Sequence, residues 1–142
     1  TCMVGFPGEK KAHFDNLVSF IKEVRFDRMG AFTFFPEEGT VAAAMKGQVS
    51  KAVKERRLAE LMNIQQEISF ERQEQFVGRT LEVLVEKAMN EEGYAEGRSF
   101  REAPEVDGVI EITAPRASLK AGDRIKVKIT EALPHDMTGE EV

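Results

Sequence analysis

Gly78-Arg79-Thr80-Leu81-Glu82-Val83-Leu84-Val85-Glu86 is the stretch where the pattern of the chain changes. Past the glycine, Leu81, Val83 and Val85 alternate with Thr80, Glu82, Leu84 and Glu86, the period of two of a strand with one face in a core and one in water. The alternation returns in Ile125, Val127 and Ile129 against Lys126 and Lys128, and Val109-Ile110-Glu111-Ile112 lies between as a third strand. Ala121-Gly122-Asp123 supplies the turn into the last long strand, and Gly93, Gly97 and Gly108 punctuate the middle. Short strands over residues 78–142 predict a small all-β, OB-like barrel.

Just upstream the period is helical. Ser50 is placed to cap a long helix running from residue 51 to about residue 76, rich in Glu, Arg, Lys, Gln, Leu and Ala and almost free of breakers. Val53, Leu58, Leu61, Met62, Ile68 and Phe76 form its apolar face. Lys51 with Glu55, and Arg56 with Glu60, are four apart and add a few tenths of a kcal/mol each. So polar a helix is expected to be a connector packed on one side only.

Further upstream, residues 1–4 are short and apolar, and Gly5-Phe6-Pro7-Gly8 breaks them with two glycines and a proline. Phe14, Leu17, Val18, Ile21 and Val24 then put a continuous stripe on a helix. Arg28-Met29-Gly30-Ala31-Phe32-Thr33-Phe34-Phe35 is aromatic and nearly uncharged, as expected of a strand buried on both faces. Strand, helix, strand makes a βαβ unit, but two strands and one helix do not cover a parallel sheet. The unit reads as the α/β remnant of a larger sheet or barrel, and the start at Thr1, already strand-like, reads as a piece of a longer chain. Pro36-Glu37-Glu38-Gly39-Thr40 is a turn, and residues 41–45 suit a short helical turn.

Composition narrows the function. Of 142 residues, 42% are hydrophobic and 32% charged, a globular balance that excludes disorder or a disulfide scaffold. No apolar run approaches the roughly 18 residues of a membrane span, and the N-terminus lacks a signal-peptide layout, so a cytoplasmic setting without membrane is expected. One cysteine, Cys2, and two histidines, His13 and His135, leave no metal site. Residues 78–142 hold nine Lys or Arg against fourteen Asp or Glu, while residues 1–77 hold eleven of each. A barrel so acidic suits a basic protein partner, and nucleic acid is an unfavoured one.

The turn Gly5-Phe6-Pro7-Gly8-Glu9 has no Lys-Ser or Lys-Thr after its glycines, and Glu9 would repel an anion, so it is not a phosphate cradle. It fits a strand-to-helix turn at the C-terminal mouth of a barrel. Glu37 and Glu38, adjacent in a turn, read first as solvated acids, although they too follow a strand. Cys2 reads as an inert strand residue and His135 as a surface histidine.

Val4-Gly5-Phe6-Pro7-Gly8-Glu9, Arg25-Phe26-Asp27-Arg28, Pro36-Glu37-Glu38-Gly39-Thr40, Gln65-Gln66-Glu67-Ile68-Ser69 and Val77-Gly78-Arg79-Thr80-Leu81-Glu82-Val83-Leu84-Val85-Glu86, in that order, resemble the C-terminal portion of the radical-SAM methylthiotransferases. The likeness covers essentially the whole chain. It implies that residues 1–48 are the last strands and helices of a partial radical-SAM βα barrel, 49–77 a connecting helix and 78–142 a TRAM domain. Residues 36–40 and Gly97-Arg98-Ser99-Phe100-Arg101-Glu102-Ala103-Pro104-Glu105-Val106-Asp107-Gly108 are similar to the branch that methylthiolates an aspartate of small-subunit ribosomal protein twelve, rather than the branch that modifies a tRNA adenosine derivative.

The resemblance further implies S-adenosylmethionine and two 4Fe-4S clusters in the parent enzyme, with Val4, Gly5 and Gly8 near the S-adenosylmethionine and Glu37 and Glu38 facing the substrate channel. No catalytic residue is implied here. Lys10 stands where many relatives have Thr, and Val41 where Pro is usual. The family's three-cysteine motif is not in this chain, so it is expected to bind no cluster and to be inactive alone. Two other readings remain: a TRAM module that binds tRNA through Arg98, Arg101, Arg124 or Lys126, and a non-catalytic interaction fragment whose barrel remnant is partly unfolded or pairs with another chain through its exposed strand edges.

Overall fold

Two short parallel strands, β1 (Cys2–Val4) and β2 (Ala31–Thr33), are joined through helix α1 (Lys11–Val24) in a computed structural model that describes all residues from Thr1 to Val142. Cys2, Val4 and Ala31 turn one face of the strand pair into a core with Phe14, Leu17, Val18 and Ile21 of α1. Arg25, in the left-handed region at φ 54°, ends the helix, and its amide donates to the Ile21 carbonyl.

The second strand is shorter than expected and is not buried on both faces. Its ladder with β1 covers Ala31–Thr33, extended by single bonds from Cys2 N–H to the Gly30 carbonyl and from Phe34 N–H to the Val4 carbonyl. A three-residue partner limits the ladder, and α1 covers one face only. Met3 and Phe32, register partners on the other face, are 41% and 47% exposed.

The short helix α2 (Val41–Ala44) is capped by Thr40, whose Oγ1 accepts the Ala43 amide at 3.2 Å. Helix α3 (Lys51–Glu74) begins after Ser50, whose Oγ accepts the Val53 amide at 3.4 Å. The expected Lys51–Glu55 pair forms at 3.7 Å in solvent. Of the expected apolar face of α3, Leu61 and Ile68 are buried and Leu58 and Phe76 pack against the cores, but polar residues share the buried stripe. The stripe runs through Lys54, Arg57, Leu61, Gln65, Ile68, Ser69 and Gln73, five polar residues and two apolar ones. The chain divides into two compact units, Thr1–Ile68 and Ser69–Val142.

The second unit is a closed barrel of β3 (Thr80–Lys87), β4 (Tyr94–Arg98), β5 (Ile110–Thr113), β6 (Arg124–Ala132) and β7 (Met137–Glu141), ordered β3-β4-β5-β7-β6. All neighbours pair antiparallel except β5 with β7. This is consistent with the expected small OB-like barrel. The three strands read from alternation all form, and their inward residues, among them Val83, Ile112 and Val127, make the core.

β4 and β7 show little hydrophobic alternation because glycine takes an inward position in each, beside Ala95 in β4 and Met137 in β7. A Cβ on Gly97 would lie 2.6 Å from the Leu84 carbonyl oxygen, and one on Gly139 would lie 2.5 Å from Val127 Cγ1. Glycine at these two sites lets the backbones approach closely enough to close a narrow barrel.

Candidate functional site

In the first unit, the C-terminal ends of β1 and β2 lie side by side, since the strands are parallel and in register. Each end runs into a loop singled out in the sequence. Val4 is fully buried, with its side chain in the α1 core, so only its backbone is available at the strand end. Gly5 has φ 78°, and a Cβ there would collide with the Lys54 stem, so this position requires glycine.

Glu9 closes the turn. Its Oε2 accepts the Gly5 amide at 2.9 Å, and its Oε1 pairs with Arg57 Nη1 at 2.7 Å. The same guanidinium nitrogen donates to the Glu9 carbonyl at 3.2 Å. The charge that would have repelled an anion is therefore turned inward and matched by Arg57. Gly8, at φ 85°, donates its amide to the Gly47 carbonyl at 2.8 Å. With the Gly5 and Gly8 amides both engaged, this turn is no anion cradle.

Lys54 secures the neighbouring strand end. Its Nζ donates to the Phe34 carbonyl at 2.9 Å and lies 5.2 Å from the Phe34 ring centroid, while Phe6 meets that ring edge-on at 5.2 Å. Lys54 and Arg57, each 8% exposed, were not singled out from the sequence. A signal existed: with Leu61, Gln65 and Ile68 they repeat at spacings of three and four, marking charged residues on the buried face of a helix.

Glu37 and Glu38 lie in the turn after β2, at the same end of the strand pair, with both side chains exposed. Their turn is held by backbone and by Thr40, whose hydroxyl donates to the Glu37 carbonyl at 2.7 Å. The surface presented beside these loops is apolar: Met3, Phe6 and Phe32 are each more than two-fifths exposed. Cys2 Sγ sits 3.6 Å from Met29 Sδ, and no group of three His, Cys, Asp or Glu side chains converges to hold a metal.

On the barrel, cations are matched with acids. Arg98 Nε meets Glu86 at 2.6 Å, Lys87 Nζ meets Glu96 at 2.6 Å, and Arg124 Nη1 meets Glu82 at 3.4 Å. Lys126 stands opposite Glu82 in the β3–β6 register. Arg101 has its side chain buried and stacks 4.0 Å from the Phe76 ring centroid. Glu96 and Glu111 face each other directly across β4 and β5. The hydrogen bond to Glu96 raises the Lys87 pKa above its usual 10.5, and a hydrogen bond with Glu92 raises that of Tyr94.

Residues 77–142 match the TRAM domain. The chain is 48% identical over 140 residues to ribosomal protein uS12 methylthiotransferase RimO of Thermoanaerobacter sp. (strain X514), a match covering 99% of the chain and 31% of the relative. The protein of the same name from Dictyoglomus thermophilum is 47% identical over 144 residues, covering 100% of the chain and 32% of the relative. The chain thus carries a TRAM domain and, along its whole length, is similar to part of the uS12 methylthiotransferases. It spans about a third of the length of the curated relatives it matches, aligned with their C-terminal part. The Carboxydothermus hydrogenoformans methylthiotransferase, 46% identical over 140 residues, matches over the same share.

Proposed function

We propose that this chain is the portion of a uS12 methylthiotransferase that closes one wall of the cofactor mouth and grips the protein substrate. In this reading residues 1–48 belong to a radical-SAM βα barrel, 49–77 to a connecting helix and 78–142 to the TRAM domain. The observation that carries it is the likeness to the methylthiotransferases along essentially the whole chain, with a TRAM domain over residues 77–142. The parent activity is insertion of sulfur at the β-carbon of an aspartate of small-subunit ribosomal protein uS12 and methylation of that sulfur, in the cytoplasm.

S-adenosylmethionine fits the strand ends in kind. Met3, Phe6 and Phe32, all exposed, would offer apolar contact to the adenosine, and the backbone at Val4, Gly5 and Gly8 would hold it. When bound, this group supplies the radical and the methyl group. Glu37 and Glu38 sit at the same end, where an acidic channel rim would meet a basic substrate. The iron–sulfur clusters do not fit residues of this chain, since each needs several thiolates and the sequence holds only Cys2.

Two features favour a basic protein over tRNA as the partner of the barrel: its excess of five acids, and the engagement of Arg98 with Glu86 and of the buried Arg101 with Phe76. Phosphate binding needs basic side chains aimed at the backbone. Calorimetric titration of the chain with purified uS12 and, separately, with tRNA, each at low and moderate salt, tests the reading. Binding to uS12 alone is expected. Binding to tRNA alone, with steep salt dependence, would move the chain to the tRNA-modifying branch.

A further inference from the structure

The loop between β4 and β5, residues 99–109, is tied down at nearly every step. Glu102 is buried, and its Oε2 accepts the Ser99 amide at 2.9 Å and the Ser99 hydroxyl at 2.6 Å. Asp107 Oδ2 accepts the Ala103 amide at 2.8 Å, and Asp136 Oδ1 accepts the Val109 amide at 2.8 Å. Gly108 lies so close to the His135 carbonyl that no Cβ would fit.

Despite this inward anchoring, the loop turns two large apolar side chains out to water. Phe100 is 83% exposed and Val106 is 82% exposed. On a mobile tail that would mean little. On a loop whose backbone is held by hydrogen bonds, exposed apolar side chains are the kind of anchor that binding surfaces use, because little backbone freedom is lost on docking. The charge around them has one sign outward. Arg101, the only cation of the loop, has its side chain buried, whereas Glu105 is exposed and held in the left-handed region at φ 61°.

We propose that residues 99–109 form the docking tip of the barrel for a basic protein segment, with Phe100 and Val106 as its apolar anchors and Glu105 as the facing charge. The proposal rests on the reading that the barrel grips a basic ribosomal protein, and names where it does so. The occupant is chosen by charge complementarity: the barrel residues carry fourteen acids against nine bases, and the loop exposes an acid and no base.

The test uses the full chain and purified uS12 in calorimetry at moderate salt, with Phe100→Ser/Val106→Ser and Glu105→Lys variants. Both substitutions are at exposed positions, so the barrel should melt as in the wild type. The double variant should weaken uS12 binding at least about tenfold, the ordinary cost of truncating interface anchors, and E105K should weaken it less and more strongly at low salt. Wild-type affinity in the double variant would overturn the docking tip while leaving the substrate reading intact. No binding of uS12 by the wild-type chain would overturn the substrate reading, and the tip with it. Loss of tRNA binding, or of a self-dimer seen by sedimentation, with uS12 binding unchanged would also overturn the proposal.

Discussion

Arg57 holds Glu9 across 48 residues of sequence, Nη1 to Oε1 at 2.7 Å, and Glu9 in turn holds the Gly5 amide. Both side chains are close to nine-tenths buried. The first turn after β1 is thus set by a charged residue of a helix that begins beyond β2 and α2.

Removing one member of a buried pair strands the other. Arg57→Met is expected to destabilise the first unit by about 3 kcal/mol, seen in urea unfolding as an early transition that leaves the barrel signal in place. Glu9→Gln added to Arg57→Met should recover part of the loss, since no lone carboxylate is then buried. A single variant as stable as wild type would show that the pair is not coupled to folding.

Gly5→Ala meets two obstacles, the positive φ and the Lys54 stem. A cost of about 2–4 kcal/mol follows from left-handed strain and overpacking together. Lys54→Ala should relieve the steric part and lose the Phe34 carbonyl bond, so thermal melts of the double variant should show less than the sum of the two single losses.

Glu102→Ala should open the β4–β5 loop. It removes the acceptor of the Ser99 amide and the carboxylate 3.9 Å from the buried Arg101 guanidinium, costing about 2–4 kcal/mol. Amide exchange of residues 99–103 should accelerate well before that of β3 and β6. Uniform acceleration across the barrel would show instead that the loop is part of its cooperative core.

Lys87 gives a pH test. Its folded pKa is raised above 10.5 by Glu96, so the pairing contributes fully below pH 10.5 and is lost as pH rises through the folded pKa. Glu96→Gln should bring the Lys87 midpoint back toward 10.5 in an NMR titration, with stability at pH 7 nearly unchanged because the pair is solvated. A midpoint unmoved by E96Q would assign the shift elsewhere.

The reading from sequence succeeded where side chains carry a period. Leu81, Val83 and Val85, and Ile125, Val127 and Ile129, announced half-buried strands, and Phe14, Leu17, Val18 and Ile21 announced α1. It missed β4 and β7 because Gly97 and Gly139 face inward, and a glycine has no hydrophobicity to alternate. It found α3 and the buried Leu61 and Ile68 but missed the polar part of the stripe, because Lys54, Arg57 and Gln65 occupy buried positions that pattern reasoning reserves for apolar residues. Their partners, Phe34, Glu9 and Phe26, are remote in sequence and offer backbone carbonyls or one carboxylate. The turn at Gly5 and Gly8 was recognisable as a motif, but the inward orientation of Glu9 depended on Arg57.

Amide exchange by mass spectrometry on the full chain, alone, with uS12 and with tRNA at moderate salt, reads the partner and its contact surface together. Protection of residues 99–109 by uS12, and none by tRNA, is expected. Protection by tRNA across the outer faces of β3 and β6, with uS12 leaving the barrel unchanged, would contradict the assignment of this barrel to a protein substrate.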